Sequence, residues 1–302
     1  MESSLISHLS KILTLSPPQS SYAASSLAGP LTSHTGTAYL FLSISSSFPR
    51  LQIHSYPAIH WARAYISNIP TTRLPNTSST DDLGLSETLA SLAVRACVFQ
   101  DLDQVHRFLS VLPPIKASNP SPTCLLHGLS GTLYLLRLIR HWVPSSAPLV
   151  SLPIVLVSEC LLTSPWSCPA SGEGVLDGKL GILTQIVLTT PPLAPRLVEE
   201  LAQLLRMQNY DGSWPSAEEF DKNRDKDLLQ AKSQSKKTGE TSFAHGIIGF
   251  ILSLHSIRPF FPSLHEPIDK ALTKASQFVV WDQKTEMSCR GGLWYGSLAT
   301  AL

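Results

Sequence analysis

His127, Asp177 and His245 occupy the same place in three copies of one local pattern: a polar residue, then Gly-x-x-Gly, then an apolar helix-like run. The copies are His127-Gly128-Leu129-Ser130-Gly131, Asp177-Gly178-Lys179-Leu180-Gly181 and His245-Gly246-Ile247-Ile248-Gly249. They lead into TLYLLRLI, ILTQIVLT and FILSLHSI. An imidazole titrates near neutral pH, and a carboxylate beside it orients the ring or holds it protonated. Brought to one point, these side chains make an acid–base site, with Cys289 and Arg290 as further reactive and cationic groups. The same residue types are competent metal ligands, so a metal on Cys289 with His245, His127 or Asp177 is the alternative chemistry. A structural reading stands beside both: each polar residue caps the helix that follows it, Asp by accepting from exposed backbone N–H groups. Arg290 suits an anionic or enolate-forming substrate, or pairs with Asp177 or Glu286.

The elements that must position these residues are helices. Recurrence of one unit at intervals of tens of residues marks a repeat architecture, and the copies begin 50 and 68 residues apart, room for about one helical hairpin each. Leu85, Leu89, Leu92, Ala93 and Ala96 share a face at spacings of three and four, as do Leu197, Leu201, Leu204 and Leu205, with Glu199 and Glu200 expected to face outward. Prolines at 113–114, 144, 153, 191–192, 259 and 262 punctuate the helices. No sustained alternation of period two appears, so the chain is read as all-α. The expected arrangement is a ring of helical hairpins whose glycine-rich ends face one cavity. Two segments read as linkers: Thr71–Asp82, and a charged insertion, Glu218–Glu240, too poor in apolar residues to order itself.

Composition narrows the partners. Of 302 residues, 43% are hydrophobic and only 15% charged, with a formal net charge of +1. That gives no basic footprint for nucleic acid, and Arg137 and Arg140 read as a solvated edge. Five cysteines without a CxxC pair argue for a reducing compartment, hence a soluble, cytoplasmic protein. The N-terminus has no secretory apolar core. The most apolar window, Leu149–Leu162, carries Pro153 and Glu159 and is shorter than the roughly 18 residues a membrane span needs, so no span is expected.

These residues resemble the LanC-like family, relatives of lanthionine synthetase C, in its fungal type. The resemblance is carried by HTGTAYLFLSISSSFPRLQ with HWARAYI, HGLSGTLYLLRLIRHWVPSSA, DGKLGILTQIVLT, QNYDGSWPS and SFAHGIIGFILSLHSIRPFFP, in that order. It implies an α/α toroid, with loops at the starts of the inner helices lining a central cavity, over 1–302 as one domain with the insertion at 218–240 disordered. The family holds zinc with two cysteines and a histidine and uses it to make a thiolate for addition to dehydroamino acids. Here Ala244 stands where the first zinc cysteine belongs, and Cys289-Arg290-Gly291 where Cys-His-Gly belongs. The family's assisting histidine matches Asp177, its upstream acid falls at Pro122-Thr123-Cys124, and its arginine matches Arg224 or Lys226. The chain stops 13 residues after Cys289 where relatives continue, so closure of the ring, alone or through a dimer, is open.

One thiolate does not make a tetrahedral zinc site. No cofactor is therefore expected, zinc being the exception to test. The resemblance then implies a repurposed, metal-free cyclase or isomerase acting on a small molecule in fungal specialised metabolism, with Asp177, His245, His127 and Arg290 as its working residues. The alternatives are a pseudoenzyme scaffold for a peptide or protein, and a product of relaxed constraint. The segment Gln208–Trp214 also resembles the glutamine–tryptophan repeats of squalene-type cyclases, where it ties helices together. Here Asp211-Gly212 reads as a turn and Trp214 as its anchor, while Asp81-Asp82 lacks the third carboxylate of an acid cluster.

Overall fold

A computed structural model describes residues 2–23, 27, 29–31, 33–69, 83–114, 122–166, 174–176, 178–215, 243–244 and 246–285. Within them the chain is helical: α1 Glu2–Leu15, α2 His34–Ser47, α3 Ala58–Ser67, α4 Glu87–Phe99, α5 Leu102–Val111, α6 Leu129–Trp142, α7 Ala147–Thr163, α8 Lys179–Thr189, α9 Val198–Arg206, α10 Ile247–Ile257 and α11 His265–Thr285. The only strands among the described residues are β1 Gln52–Ile53 and β2 Tyr56–Pro57, an antiparallel hairpin. The expected all-α class is observed. The expected linker Thr71–Asp82 and insertion 218–240 lie outside the described residues.

The chain forms two compact units: Met1–Lys116 with Tyr134–Val157, and Ala117–Leu133 with Ser158–Leu302. In the first, α2 packs on α3 and α4, and α4 on α5. Ring contacts hold this core together, Phe41 stacked on Tyr65 at 5.7 Å and His34 tilted against Tyr22 at 4.3 Å. The Tyr65 hydroxyl donates to Ser16 O at 2.5 Å, and burial pushes its pKa up to about 12. Arg95 on α4 donates to the carbonyls of Ile66 and Ile69, 2.6 Å each, which answers the orphan acceptors and negative dipole end of α3.

In the second unit, α8 packs on α10 and α9, and α11 on α10 and α9. The Gln208–Trp214 segment ties these helices as read from the sequence. Gly212 turns the chain at φ +99, the Gln208 amide donates to Gly212 O and Ala271 O, and the Trp214 indole donates to Leu204 O. The Trp214 ring stacks on Phe250 at 4.2 Å.

Two classes of helix alternate along the chain. In α8 every residue from Leu180 to Val187 is buried, and α4 is buried on nearly all sides, with Arg95 only half-buried. The sequence reading gave α4 a single apolar face; its small residues Ala90, Ser91, Ala93 and Ala96 instead let neighbours approach all round. Helices α5 and α9 are amphipathic, with Val105 and Phe108, and Leu201 and Leu204, turned inward. The expectation for α9 holds for Glu199, which is exposed, and fails for Glu200, whose Oε2 is buried one turn before Leu204. The apolar window around Leu149 also runs longer than expected: Pro144–Thr163 forms 20 helical residues of mean hydropathy 1.7, enough in length and composition to cross a membrane, with a third of that stretch buried. Its Val150, Ile154, Val157 and Leu161 are buried at spacings of three and four, while Leu152, Val155 and Leu156 are exposed.

Three helices begin in the same way, with a crowded glycine as third residue, and at α6 a glycine just before the helix makes a similar contact. A Cβ on Gly36, Gly181 or Gly249 would lie 1.8, 1.8 and 2.2 Å from the carbonyl oxygens of Pro30, Val175 and Phe243, and one on Gly128 2.5 Å from that of Pro122. In each case the carbonyl belongs to the residue six earlier, so the chain doubles back on its own helix start. A Gly→Ala change inside a helix ordinarily stabilises by about 1 kcal/mol. For Gly181→Ala the sign reverses, because the obstacle is backbone and cannot rotate away: chemical denaturation is expected to show a loss of roughly 2 kcal/mol or more, and a gain would show that the doubled-back loop gives way freely.

Candidate functional site

The doubled-back loops solve a problem that every helix start poses: its first four N–H groups have no partner within the helix. Leu129 N donates to Pro122 O at 2.9 Å and Ser130 N to Thr123 O at 3.3 Å. At α8, Gly181 N donates to Gly174 O at 3.3 Å. The N-cap positions of α8 and α10 are Gly178 and Gly246, extended and without a side-chain cap bond. Glycine holds the cap position at both helices; the capping role considered for Asp177 and His245 lies outside the described residues.

The loops also bond to one another within the second unit. Leu125 N donates to Leu176 O at 2.9 Å, and Val175 N and Leu176 N both reach Ala244 O, at 3.1 and 3.2 Å. A methyl of Val175 lies where a Cβ on Gly249 would be, 2.7 Å away. The three Gly-x-x-Gly units, distant in sequence, thus have their entry loops joined edge to edge. Leu125 stands two residues before His127, Leu176 one before Asp177 and Ala244 one before His245. Of the expected site residues, His127 is described and is exposed; Asp177, His245, Cys289 and Arg290, like Arg224 and Lys226, lie outside the described residues. Among the described residues no group of three or more His, Cys, Asp or Glu is placed to hold a metal. Cys97, Cys124 and Cys160 are free thiols, and burial pushes Cys97 well above the usual range, leaving it a neutral packing group.

A fourth copy of the helix start, at α2, was not visible as Gly-x-x-Gly because Ser33 stands where the first glycine would be. Ser33 is the N-cap, accepting from Thr35 N at 3.2 Å. Beneath it lies a carboxylate that the sequence reading passed over. Glu87, in the first turn of α4 and buried, accepts from Gly29 N at 2.8 Å and from Ser33 Oγ at 2.9 Å through Oε2, and from Thr35 Oγ1 through Oε1. The sequence signal was present in Ser86-Glu87, a cap followed by an acid at a helix start. Nothing in the pattern, however, said what the acid would hold. Burial raises the Glu87 pKa above the ordinary carboxylate value, and the three donated hydrogen bonds pull it back in part.

The first unit has a second polar cluster. The Tyr134 hydroxyl donates to the Tyr39 hydroxyl at 2.7 Å, and the Arg137 guanidinium lies over the Tyr134 ring, 5.4 Å from its centroid. Arg137 is half-buried and burial lowers its pKa, so it does not belong to the solvated edge expected of it: Tyr134, one turn earlier, draws it inward. No protein-family model matches the chain, and no curated protein shows significant similarity to it.

Glu87 yields a signed expectation. Its pKa is higher in the folded than in the unfolded chain, so the fold favours the protonated acid. The stability this gives is complete below the unfolded value near 4.5 and is lost as pH rises through the folded value. Glu87→Gln should flatten that decline in urea-melt stability above pH 4.5. Glu87→Ala, which strands three donors, should cost about 2–4 kcal/mol at any pH. An unchanged pH profile in Glu87→Gln would exclude the carboxylate as its source.

Proposed function

We propose that the chain is a LanC-like α/α toroid whose glycine-bounded helix starts face one cavity, and that it acts on a small molecule as a metal-free cyclase or isomerase. The observation that supports this reading is the joining of three entry loops through Leu125, Leu176 and Ala244, which gathers the chain on either side of the polar positions into one region. A catalytic cavity needs this: proton donors and acceptors held to a common point by backbone that does not move. Asp177 and His245 serve as the acid–base pair, His127 as a second titratable group at the rim, and Arg290 as the cation that meets developing negative charge. Ala244, beside a carbonyl that accepts from two neighbours, stands where the family carries a zinc cysteine. On this reading the site retains the family's scaffold and not its thiol-activating metal. The protein is soluble and cytoplasmic, binds no nucleic acid, and uses α7 as a wall helix.

A pseudoenzyme scaffold is the second reading, favoured by the exposed apolar side chains Leu152, Val155 and Leu156 on α7. Two measurements separate the readings. Elemental analysis of the reduced protein should find well under one zinc per chain, unchanged by Cys289→Ala; one zinc lost with that substitution would overturn the metal-free site. Incubation with a panel of unsaturated ketones and acids in D2O should give protein-dependent deuterium uptake that falls by at least about tenfold in Asp177→Asn and His245→Ala. Absence of uptake across the panel would favour the scaffold.

A further inference from the structure

The N-terminal strap of the first unit, α1 with the segment Ser16–Tyr22, is fastened by few groups. Of α1 only Leu9 and Leu13 are buried, and from Ser16 to Tyr22 only Tyr22 is. Hydrogen bonds reach the segment from α3 and its C-cap: the Tyr65 hydroxyl donates to Ser16 O at 2.5 Å and the Asn68 amide to Gln19 O at 2.7 Å. Gln19 N donates in turn to the Tyr22 hydroxyl at 3.2 Å, closing the segment on itself.

A column of rings makes the further tie. Tyr22 lies tilted on His34 at 4.3 Å and 35°, His34 stacks on Tyr65 at 6.0 Å and 19°, and Tyr65 stacks on Phe41 at 5.7 Å. Tyr22, Tyr65 and Phe41 are buried and His34 is half-buried. The strap thus meets the α2–α3 core through an imidazole, the one ring of the column whose charge ordinarily changes near neutral pH. Neutral, it packs as an aromatic ring. Protonated, it brings into the column a charge that burial strips of water, and burial pushes the His34 pKa below its ordinary value. The titratable groups about it are Tyr22 on the strap, Tyr65 on α3 and Glu87 on α4. Glu87 is engaged by Gly29 N and by the hydroxyls of Ser33 and Thr35, which flank His34, and burial raises its pKa, so acid removes that charge as well. Attraction between an imidazolium and a tyrosine face acts the other way, and would show as tighter fastening in acid.

We infer that this column is an acid-sensitive latch: protonation of His34 releases α1 and Ser16–Tyr22 from the α2–α3 core, while the core itself stays folded. The latch is a local opening, which needs far less free energy than unfolding the unit. Its sign follows from burial of the ring. The folded state favours the neutral imidazole, so the stability it gives is full above the unfolded value near 6.5 and is lost as pH falls from there through the folded value. The latch is independent of the acid–base reading of the glycine loops and involves none of its residues.

The test is hydrogen exchange of the full chain, read by peptide mass, in the parent and in His34→Phe at about pH 7.5 and about pH 5. The phenyl ring keeps the column and takes no charge, and comparing the two proteins at one pH cancels the intrinsic pH dependence of exchange. At the higher pH both are expected to protect residues 2–22 alike. At the lower pH the parent should exchange there at least about threefold faster than His34→Phe, with α2 and α3 unchanged. Tyr22→Ala, which cuts the column, should exchange quickly over 2–22 at both pH values. Equal rates in parent and His34→Phe at the lower pH, slower exchange in the parent, or acceleration spread equally over α2 and α3 would overturn the latch. So would a pH dependence that persists in Tyr22→Ala. Should His34→Phe not fold, titration of the His34 ring in the parent by nuclear magnetic resonance decides: a midpoint below that of histidine in an unstructured peptide supports the latch, and one at or above it overturns it.

Discussion

The close approach of a carbonyl to a glycine at the helix start is the constraint on which the described structure turns. At Gly36, Gly181 and Gly249 the oxygen six residues back occupies the space a Cβ would need, and at Gly128 the same pairing recurs. This contact has two effects. At α6 and α8 it turns the entering chain back across the helix end, so that loop carbonyls receive orphan N–H groups of the first turn. It also keeps the helix end thin enough for a neighbouring loop to lie against it, as the Val175 methyl does at Gly249. Without the first effect the helix starts would need side-chain caps, and without the second the loops would stand apart.

Where the backbone does not complete the arrangement, a buried polar side chain does. At α2, Ser33 replaces the first glycine, and the loop behind it hangs on the Glu87 carboxylate through Gly29, Ser33 and Thr35. At α3 the guanidinium of Arg95 gathers the terminal carbonyls. Each is a single side chain answering several backbone groups. Each therefore matters more than its one position suggests, since its loss strands every partner at once.

The parts of this structure legible in the sequence are those set by local pattern. Helical periodicity located α4 and α9, the prolines at 113–114, 191–192 and 259 fell at breaks after α5, before α9 and after α10, and the Gln208–Trp214 segment was read as a tie before its hydrogen bonds were seen. What escaped was set by contacts between distant residues. Glu87 looked like any acid at a helix start, and its three partners lie more than 50 residues away in sequence. Glu200 was assigned to the surface with Glu199 because periodicity resolves a face and not its border. Arg137 was assigned to solvent although Tyr134, one turn earlier, lies beneath it; the local sequence does not announce the Tyr39 hydroxyl that receives Tyr134. Of the candidate site, the repetition of the glycine units was legible, and so was their role as helix starts. The bonding of their loops to one another was not.

The joints between the entry loops are made by main-chain atoms: Leu125 N to Leu176 O, and Val175 N and Leu176 N to Ala244 O. A main-chain joint is indifferent to the identity of the side chain one residue further on. A substitution at a joint residue such as Ala244, or at the residue that follows a joint, then leaves the main-chain hydrogen bonds in place. A scaffold jointed in this way uncouples its reactive groups from its folding, and is free to change its chemistry by single substitutions.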